Sequence, residues 1–358
     1  MRRTVLFFSV FGPLALATLG QTTGQTSGPW VLERSGTMAG LRGIHAVGGG
    51  VAWASGTNGT VLRTEDGGYE WESCAMPPGA EKLDFRGIWA WDDQTAIVMS
   101  SGPGDSSRLY KTTDGCSSWK LVLTNPDKDG FWDAIHFSDG VGALLGDPVG
   151  GRFAFFESTD RGSRWFRDVA KGLAAVSGEG AFAASNSSLI DHALGTGWLF
   201  GTGGSEGARV YLSMNGISQR GLFRDWWSVR VPLAPPTNTS GVFSLALRGG
   251  DHGVAVGGDY TKPNESAGTA AWSADGGKTW TAAVKPPHGF RSAVAWDADA
   301  KAWIAAGTNG SDISYDDGRT WVPLDNGNWN ALSLPWVVGP DGRIAKLDPA
   351  KLPRSAKK

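Results

Sequence analysis

Ser273-Ala-Asp275-Gly-Gly277-Lys-Thr-Trp280 decides how this chain is read, because its pattern, S/T-x-D-x-G-x-x-W, returns along most of the sequence. It stands at Thr64-Glu-Asp66-Gly-Gly68-Tyr-Glu-Trp71, at Ser158-Thr-Asp160-Arg-Gly162-Ser-Arg-Trp165 and at Ser314-Tyr-Asp316-Asp-Gly318-Arg-Thr-Trp321. A further copy, Thr112-Thr-Asp114-Gly-Cys116-Ser-Ser-Trp119, carries Cys in place of Gly. A degenerate one, Ser213-Met-Asn215-Gly216, has its tryptophan delayed to Trp226 or Trp227. The spacing averages about 50 residues, the period of a supersecondary unit that stacks on copies of itself.

Each unit holds more than the turn. An apolar β segment opens it, as in Leu41-Arg42-Gly-Ile44, Phe85-Arg86-Gly-Ile88, Phe131-Trp-Asp133-Ala-Ile135 and Phe290-Arg291-Ser-Ala-Val294. A second run ends in small residues, a third leads into the turn, and a fourth follows the tryptophan. Four short antiparallel strands per period describe one blade of a β-propeller, and no stretch shows a useful helical period. The 53 glycines agree with many tight turns.

Counting blades gives seven. Six turns account for six, and Trp329 to Leu347 supplies three more strands without a turn. The isolated segment at Trp30–Arg34 is the missing fourth, so both chain ends close the last blade and hide its edges. The expected fold is therefore an all-β, seven-bladed propeller of four-stranded antiparallel blades over residues 30–348, with a flexible tail at 349–358. Arg2-Arg3 before an apolar run reads as a secretory signal peptide over residues 1–20, followed by a polar linker at 21–29. An exported chain, periplasmic or extracellular, without stable membrane insertion after cleavage, follows from that reading. The formal net charge of −2 and 19% charged residues argue against nucleic acid as a partner. Cys74 and Cys116 are the only cysteines; an inter-blade disulfide and two free thiols both stay open at this point.

With these repeats on the page, the sequence resembles the BNR/Asp-box propellers, which include sialidases and other glycoside hydrolases. The finer string, Phe-Arg-Gly-Ile, then a Val/Ala-rich strand, then T/S-x-D-G-G-x-x-W, looks closer to the photosystem II assembly and stability factors and their bacterial relatives. The resemblance covers the whole mature chain. It implies that Asp66, Asp114, Asp160, Asp275 and Asp316, with Trp71, Trp119, Trp165, Trp280 and Trp321, build turns on the face opposite the usual site. A short Asp accepts hydrogen bonds from turn amides, and the tryptophan buries a large ring.

Function is then expected at the other face, where the opening residues of the innermost strands meet. Arg42, Arg86, Asp133, Ser244, Arg291 and Asn330 take these positions, and the loops after the second strands add Asp147 and Asp259. Arginines converging on a concave mouth suit a carboxylate, because the guanidinium fork pairs bidentately. The assembly-factor branch is associated with an arginine patch that binds a partner polypeptide. The expected partner is a protein or peptide, or an acidic small ligand or glycan, bound by a monomeric, non-enzymatic scaffold at Arg42, Arg86, Asp133, Arg291 and Asn330. The alternative is a secreted glycoside hydrolase, sialidase-like or of another kind, using Asp133, Asp147 or Asp259 as its carboxylates. The sialidase Arg-Ile-Pro string is absent near the N-terminus. No metal or cofactor is expected: there is no H-E-x-x-H, paired CxxC or Walker pattern. His45 and His136 share one repeat position inside strands and read as packing, as do Phe155-Phe156 and Trp226-Trp227.

Overall fold

The computed structural model describes residues 28–169, 172–192, 197–218 and 221–354. The expected signal peptide and nearly all of the linker lie outside these residues. Among the described residues, no helix is long and apolar enough to cross a membrane.

The described residues fold into seven four-stranded antiparallel blades. The innermost strands, in blade order, are Leu41–Gly48, Phe85–Ala90, Trp132–Ser138, Leu189–His192, Ser240–Arg248, Ala293–Asp297 and Ala331–Ser333. Each touches the next, and the last touches the first, so the ring closes. Blades four and five are joined into one sheet by a single pairing, Gly203 with Gly241. The core is divided as a propeller requires. Among the described residues seven apolar clusters form, each between two adjacent blades. Trp53, Trp132 and Trp303 are fully buried in three of these layers, where large rings fill the space between two sheets.

Closure follows the expectation. Trp30–Glu33 pairs antiparallel with Ile344–Leu347 as the outer strand of blade seven. Trp30 is 1% exposed and donates its indole N–H to Ser311 of blade six at 2.8 Å. Glu33 accepts from the indoles of Trp71 in blade one (2.9 Å) and Trp336 in blade seven (3.0 Å). One carboxylate thus ties the first blade to the last. Gly68 makes this possible: its φ is +94°, and a Cβ there would collide with the Glu33 carboxylate.

The repeated turn has one hydrogen-bond pattern in all five good copies. In blade five, Asp275 Oδ1 accepts from the Ser273 hydroxyl (2.8 Å) and the Thr279 amide (2.9 Å), while Ser273 Oγ accepts from the Gly277 amide (2.9 Å). The same bonds recur at Asp66, Asp114, Asp160 and Asp316. The following indoles of Trp165, Trp280 and Trp321 donate back to the turn glycine's carbonyl. Trp71 instead donates to Glu33, and the Trp119 indole has no partner.

Cys116 keeps the turn despite replacing glycine, at φ +64°, and its amide still bonds Thr112 Oγ1 at 3.1 Å. Its sulfur forms a disulfide with Cys74 across blades one and two, with the Cα atoms 5.3 Å apart.

Two expectations need correcting. The degenerate turn of blade four is not a turn: Arg209–Ser218 and Gly221–Arg230 pair as one long hairpin, with Asn215 opposite Arg224 inside the ladder. Trp226 is buried there between blades three and four. The tail also begins later than residue 349. Pro349–Lys351 forms a 3-10 turn capped by Asp348, Leu352 packs on the cluster between blades six and seven, and Tyr315 Oη donates to the Pro353 carbonyl. Residues 355–358 lie outside the described residues.

Candidate ligand-binding mouth of the channel

The mouth is built by register, not by loops alone. In blade one the ladder skips between Leu41 and Gly43, leaving Arg42 as the extra residue of a bulge. The same skip leaves out Arg86 in blade two, Asp133 in blade three and Phe243 in blade five. A bulge re-aims the unpaired side chain, here toward the axis. Ser292 and Asn330 hold the corresponding place, immediately before the first paired residue of blades six and seven. All six line a cavity of about 490 Å³ together with Phe131, Asp147, Phe182, Tyr260 and Phe290.

Arg291 is not among them, and the expectation that it joins the mouth is wrong. Ala293 opposite Ala306 occupies the place of Gly43 opposite Ser55, so the string Phe290-Arg291-Ser292 stands one residue out of step with Phe85-Arg86-Gly87. A slip of one residue turns a strand side chain to the other side. Arg291 is 0% exposed and forms a buried ion pair with Asp312, its Nε 2.7 Å from Oδ2 and its Nη2 bonded to the same oxygen. It also donates to the Phe290 carbonyl. Ser244 was likewise one residue off: it is buried and bonded to Ser187, while Phe243 reaches the mouth.

Arg42 and Arg86 share one carboxylate. Arg86 Nε donates to Asp84 Oδ2 at 2.8 Å, and its Nη1 donates to the Ala183 carbonyl at 3.2 Å. Arg42 Nε stands 3.9 Å from Asp84 Oδ1, too far to bond, and both atoms are buried without a hydrogen-bond partner. Burial lowers the Arg42 pKa, with Asp84 opposing and Arg86 adding to the shift.

The carboxylates differ among themselves. Asp133 is 1% exposed, and its Oδ2 has no partner. Burial raises its pKa well above the ordinary carboxylate range, the neighbouring Asp147 adds to this, and Arg86 opposes it. Asp147 is also raised by burial, although its Oδ1 accepts from the Ala181 amide at 2.9 Å. Asp259 does not line the cavity. It accepts from Thr239, Thr261 and Thr237 and staples its own loop; burial pushes its pKa up, but these bonds together hold it below the ordinary value. The expectation that Asp259 faces a substrate is therefore corrected, whereas its neighbour Tyr260 does face the cavity.

Sequence reasoning missed the floor of this cavity. Residues 181–188, before the first strand of blade four, cross the channel. Ser185 Oγ donates to the Ser292 carbonyl of blade six (2.6 Å), and Asn186 bonds Ile88 O and Ile135 N of blades two and three. Ser187 pairs with Ser244 of blade five at 2.7 Å. Phe182 stacks on Phe243, ring centroids 3.9 Å apart. The one signal in the sequence was the loss of repeat register near Ser185. The mouth thus has a charged side, from blades one to three, and an aromatic side formed by Phe182, Phe243, Phe290 and Tyr260.

No protein-family model matches the sequence, and no curated protein matches it. Solved structures do match in fold. A YCF48 bound to D1 peptide superposes with a TM-score of 0.55 at 17% identity, covering 89% of this chain and 96% of that one. YCF48 from Cyanidioschyzon merolae gives 0.61 at 16%, covering 90% and 99%. The WD40 β-propeller domain of Doa1 gives 0.55 at 11%, covering 91% and 99%. At these identities the likeness is one of fold.

Proposed function

We propose that this chain is an exported, non-enzymatic propeller scaffold that binds a peptide segment of a partner protein at the Arg42/Arg86 mouth, an acidic group of the peptide resting on the two guanidiniums. The observation that carries this reading is the hydrogen-bond deficit of Arg42. Arg42 is half-buried, lines the cavity and stands 3.9 Å from Asp84 without bonding it, so a carboxylate entering the cavity meets a guanidinium that no internal acid holds by a hydrogen bond. The aromatic side of the same cavity offers a surface for an apolar side chain, so both halves of a peptide residue find complementary chemistry. The YCF48 bound to D1 peptide shares this fold, and the repeat strings resemble photosystem II assembly factors; both support a peptide as ligand, without requiring photosynthesis. The disulfide supports an oxidising compartment.

The test is binding of fluorescein-labelled peptide pools, acidic and basic, to the chain from residue 28 onward. Acidic pools are expected to bind, with a loss of about tenfold or more in Arg42→Ala and Arg86→Ala at unchanged melting temperature. Equal binding of both pools, or indifference to both substitutions, refutes the reading.

A glycoside hydrolase at Asp133 and Asp147 is the second reading, favoured by two carboxyl groups of raised pKa in one cavity. Against it, Asp133 is 1% exposed, which leaves a substrate oxygen little access. Turnover of sialosides or other glycans that disappears in Asp133→Asn or Asp147→Asn would establish this reading over the scaffold.

A further inference from the structure

The channel has a second concavity of about 440 Å³ at its other end, beyond residues 185–187. It is lined by a second ring of equivalent positions, three residues after those of the mouth. Blades one to four present His45, Trp89, His136 and Asp191; blades five to seven present Ala246, Ala295 and Ser333. All seven side chains are half-buried, neither packed away nor out in solvent. His45 and His136, read from sequence as packing, face this cavity instead.

Hydrogen bonds fix what the large side offers. His45 Nδ1 accepts from the Ala90 amide at 3.3 Å, so the proton of the neutral ring resides on Nε2, a donor. Burial, and secondarily His136, hold the His45 pKa down to about 3, which keeps the ring neutral. Trp89 stands between the two imidazoles, with centroids 4.1 Å from His45 and 4.7 Å from His136. Asp191 accepts from His136 Nε2 at 3.1 Å and from Ser138 Oγ at 3.1 Å; burial pushes its pKa up, but these two partners together hold it below the ordinary value. A carboxylate has lone pairs for more than two bonds. The wall from blades five to seven is apolar, with Ala246, Leu247, Ala295, Trp296 and Leu332, and Ser333 Oγ already accepts from the Ala46 amide.

These groups select by chemistry. The ionised Asp191 disfavours an anion, and its His136 and Ser138 partners leave it a poor sole counter-ion for a cation. The concavity is ringed by the innermost strands of seven blades and floored by Ser185–Ser187, dimensions that suit a small ligand. We propose that this end of the channel is a small-molecule site for a neutral, hydroxyl-rich ring, a mono- or disaccharide, whose hydroxyls bond Asp191 and His45 and whose C–H face lies on Trp89 and the apolar wall. A cavity of this size falls within the roughly 300–1,000 Å³ of small-molecule sites. The assignment is independent of peptide binding at the mouth.

The experiment is a titration of the chain from residue 28 onward with glucose, galactose, N-acetylglucosamine, maltose and cellobiose, read by saturation-transfer NMR and tryptophan fluorescence. At least one sugar is expected to bind. The near-isosteric Asp191→Asn and the smaller-ringed Trp89→Phe are each expected to weaken it by about tenfold, and Arg42→Ala to leave it unchanged. No saturation transfer from any of the five sugars at millimolar concentration overturns the proposal. Sugar binding that survives Asp191→Asn and is lost in Arg42→Ala also overturns it, because the site then lies at the mouth. Melting temperatures of both variants separate loss of the site from loss of the fold.

Discussion

Blade two and blade six open with nearly the same string, Phe85-Arg86-Gly87-Ile88 and Phe290-Arg291-Ser292-Ala293-Val294, yet the two arginines do opposite things. Arg86 is a bulge residue at the cavity, bonded to Asp84 and to the segment that crosses the channel. Arg291 is sealed in the core on Asp312. One residue of offset separates them. The lesson is that in a repeat protein residue type proposes a role, and register assigns it.

The sharpest way to break the comparison is to truncate both. Arg291→Ala leaves Asp312 buried without its guanidinium, although His288 still reaches it at 2.9 Å. A loss of about 3–5 kcal/mol is expected, read from chemical denaturation. Arg86→Ala removes a partly exposed pair and is expected to change stability by no more than about 1 kcal/mol while weakening peptide binding by about tenfold or more. If the two substitutions destabilise equally, the assigned difference in role is wrong.

Next in size is the disulfide, which fixes the first two blades to each other. It closes a loop of 42 residues of sequence separation, and Cys74→Ser with Cys116→Ser is expected to cost about 2–4 kcal/mol. In addition, Cys116→Gly in the Cys74→Ser background tests the left-handed turn. Glycine at φ +64° is expected to recover about 0.5–1 kcal/mol relative to serine there. No recovery would mean that the turn tolerates a side chain without strain.

A smaller effect belongs to the repeated turn. Asp275→Ala leaves the Thr279 amide and two hydroxyls without their acceptor in a partly solvated turn, with an expected cost of about 1–2 kcal/mol. Binding at either end of the channel is expected to stay intact. Loss of ligand binding without unfolding would contradict the assignment of the turns to architecture alone.

How much of this was legible follows from what repeats. The turn, the blade count and the closure by Trp30–Glu33 were readable, since each rests on a local pattern or on an orphan strand needing a partner. Arg42, Arg86, Asp133 and Asn330 were placed at the mouth because their strings align without insertion. Phe243 and Ser292 were missed because where a ladder starts or skips is set by pairing with the next strand, which local sequence does not state. Residues 181–188 were illegible for a different reason. Their bonds to Ile88 and Ser292 span 98 and 107 residues, and no other blade repeats the segment. The shared acid Asp84 stood two residues before Arg86, a spacing that also fits an ordinary loop acid.

The faintest signal is a pH dependence that runs in opposite directions at the mouth and at the turns. Asp133 has a folded pKa raised by burial and by Asp147, so the folded chain holds its proton more tightly than the unfolded chain. Its contribution is complete below the ordinary carboxylate pKa of about 4 and is lost as pH rises through the raised value. Asp275 is the reverse. Partial burial raises its pKa, but Thr279 and Ser273 together hold it below the ordinary value, so its contribution is present above about pH 4 and is lost as pH falls through the depressed one. Taken as differences from the parent chain, terms common to both variants, such as the neutral His45, cancel. Asp133→Asn is expected to gain relative stability as pH rises from about 4 to 8, and Asp275→Asn to lose its deficit as pH falls below about 4. Denaturant midpoints across that range measure both. Parallel profiles would show that the carboxyls at the two ends share one environment, and would dissolve the contrast between a buried, proton-holding mouth and saturated turns.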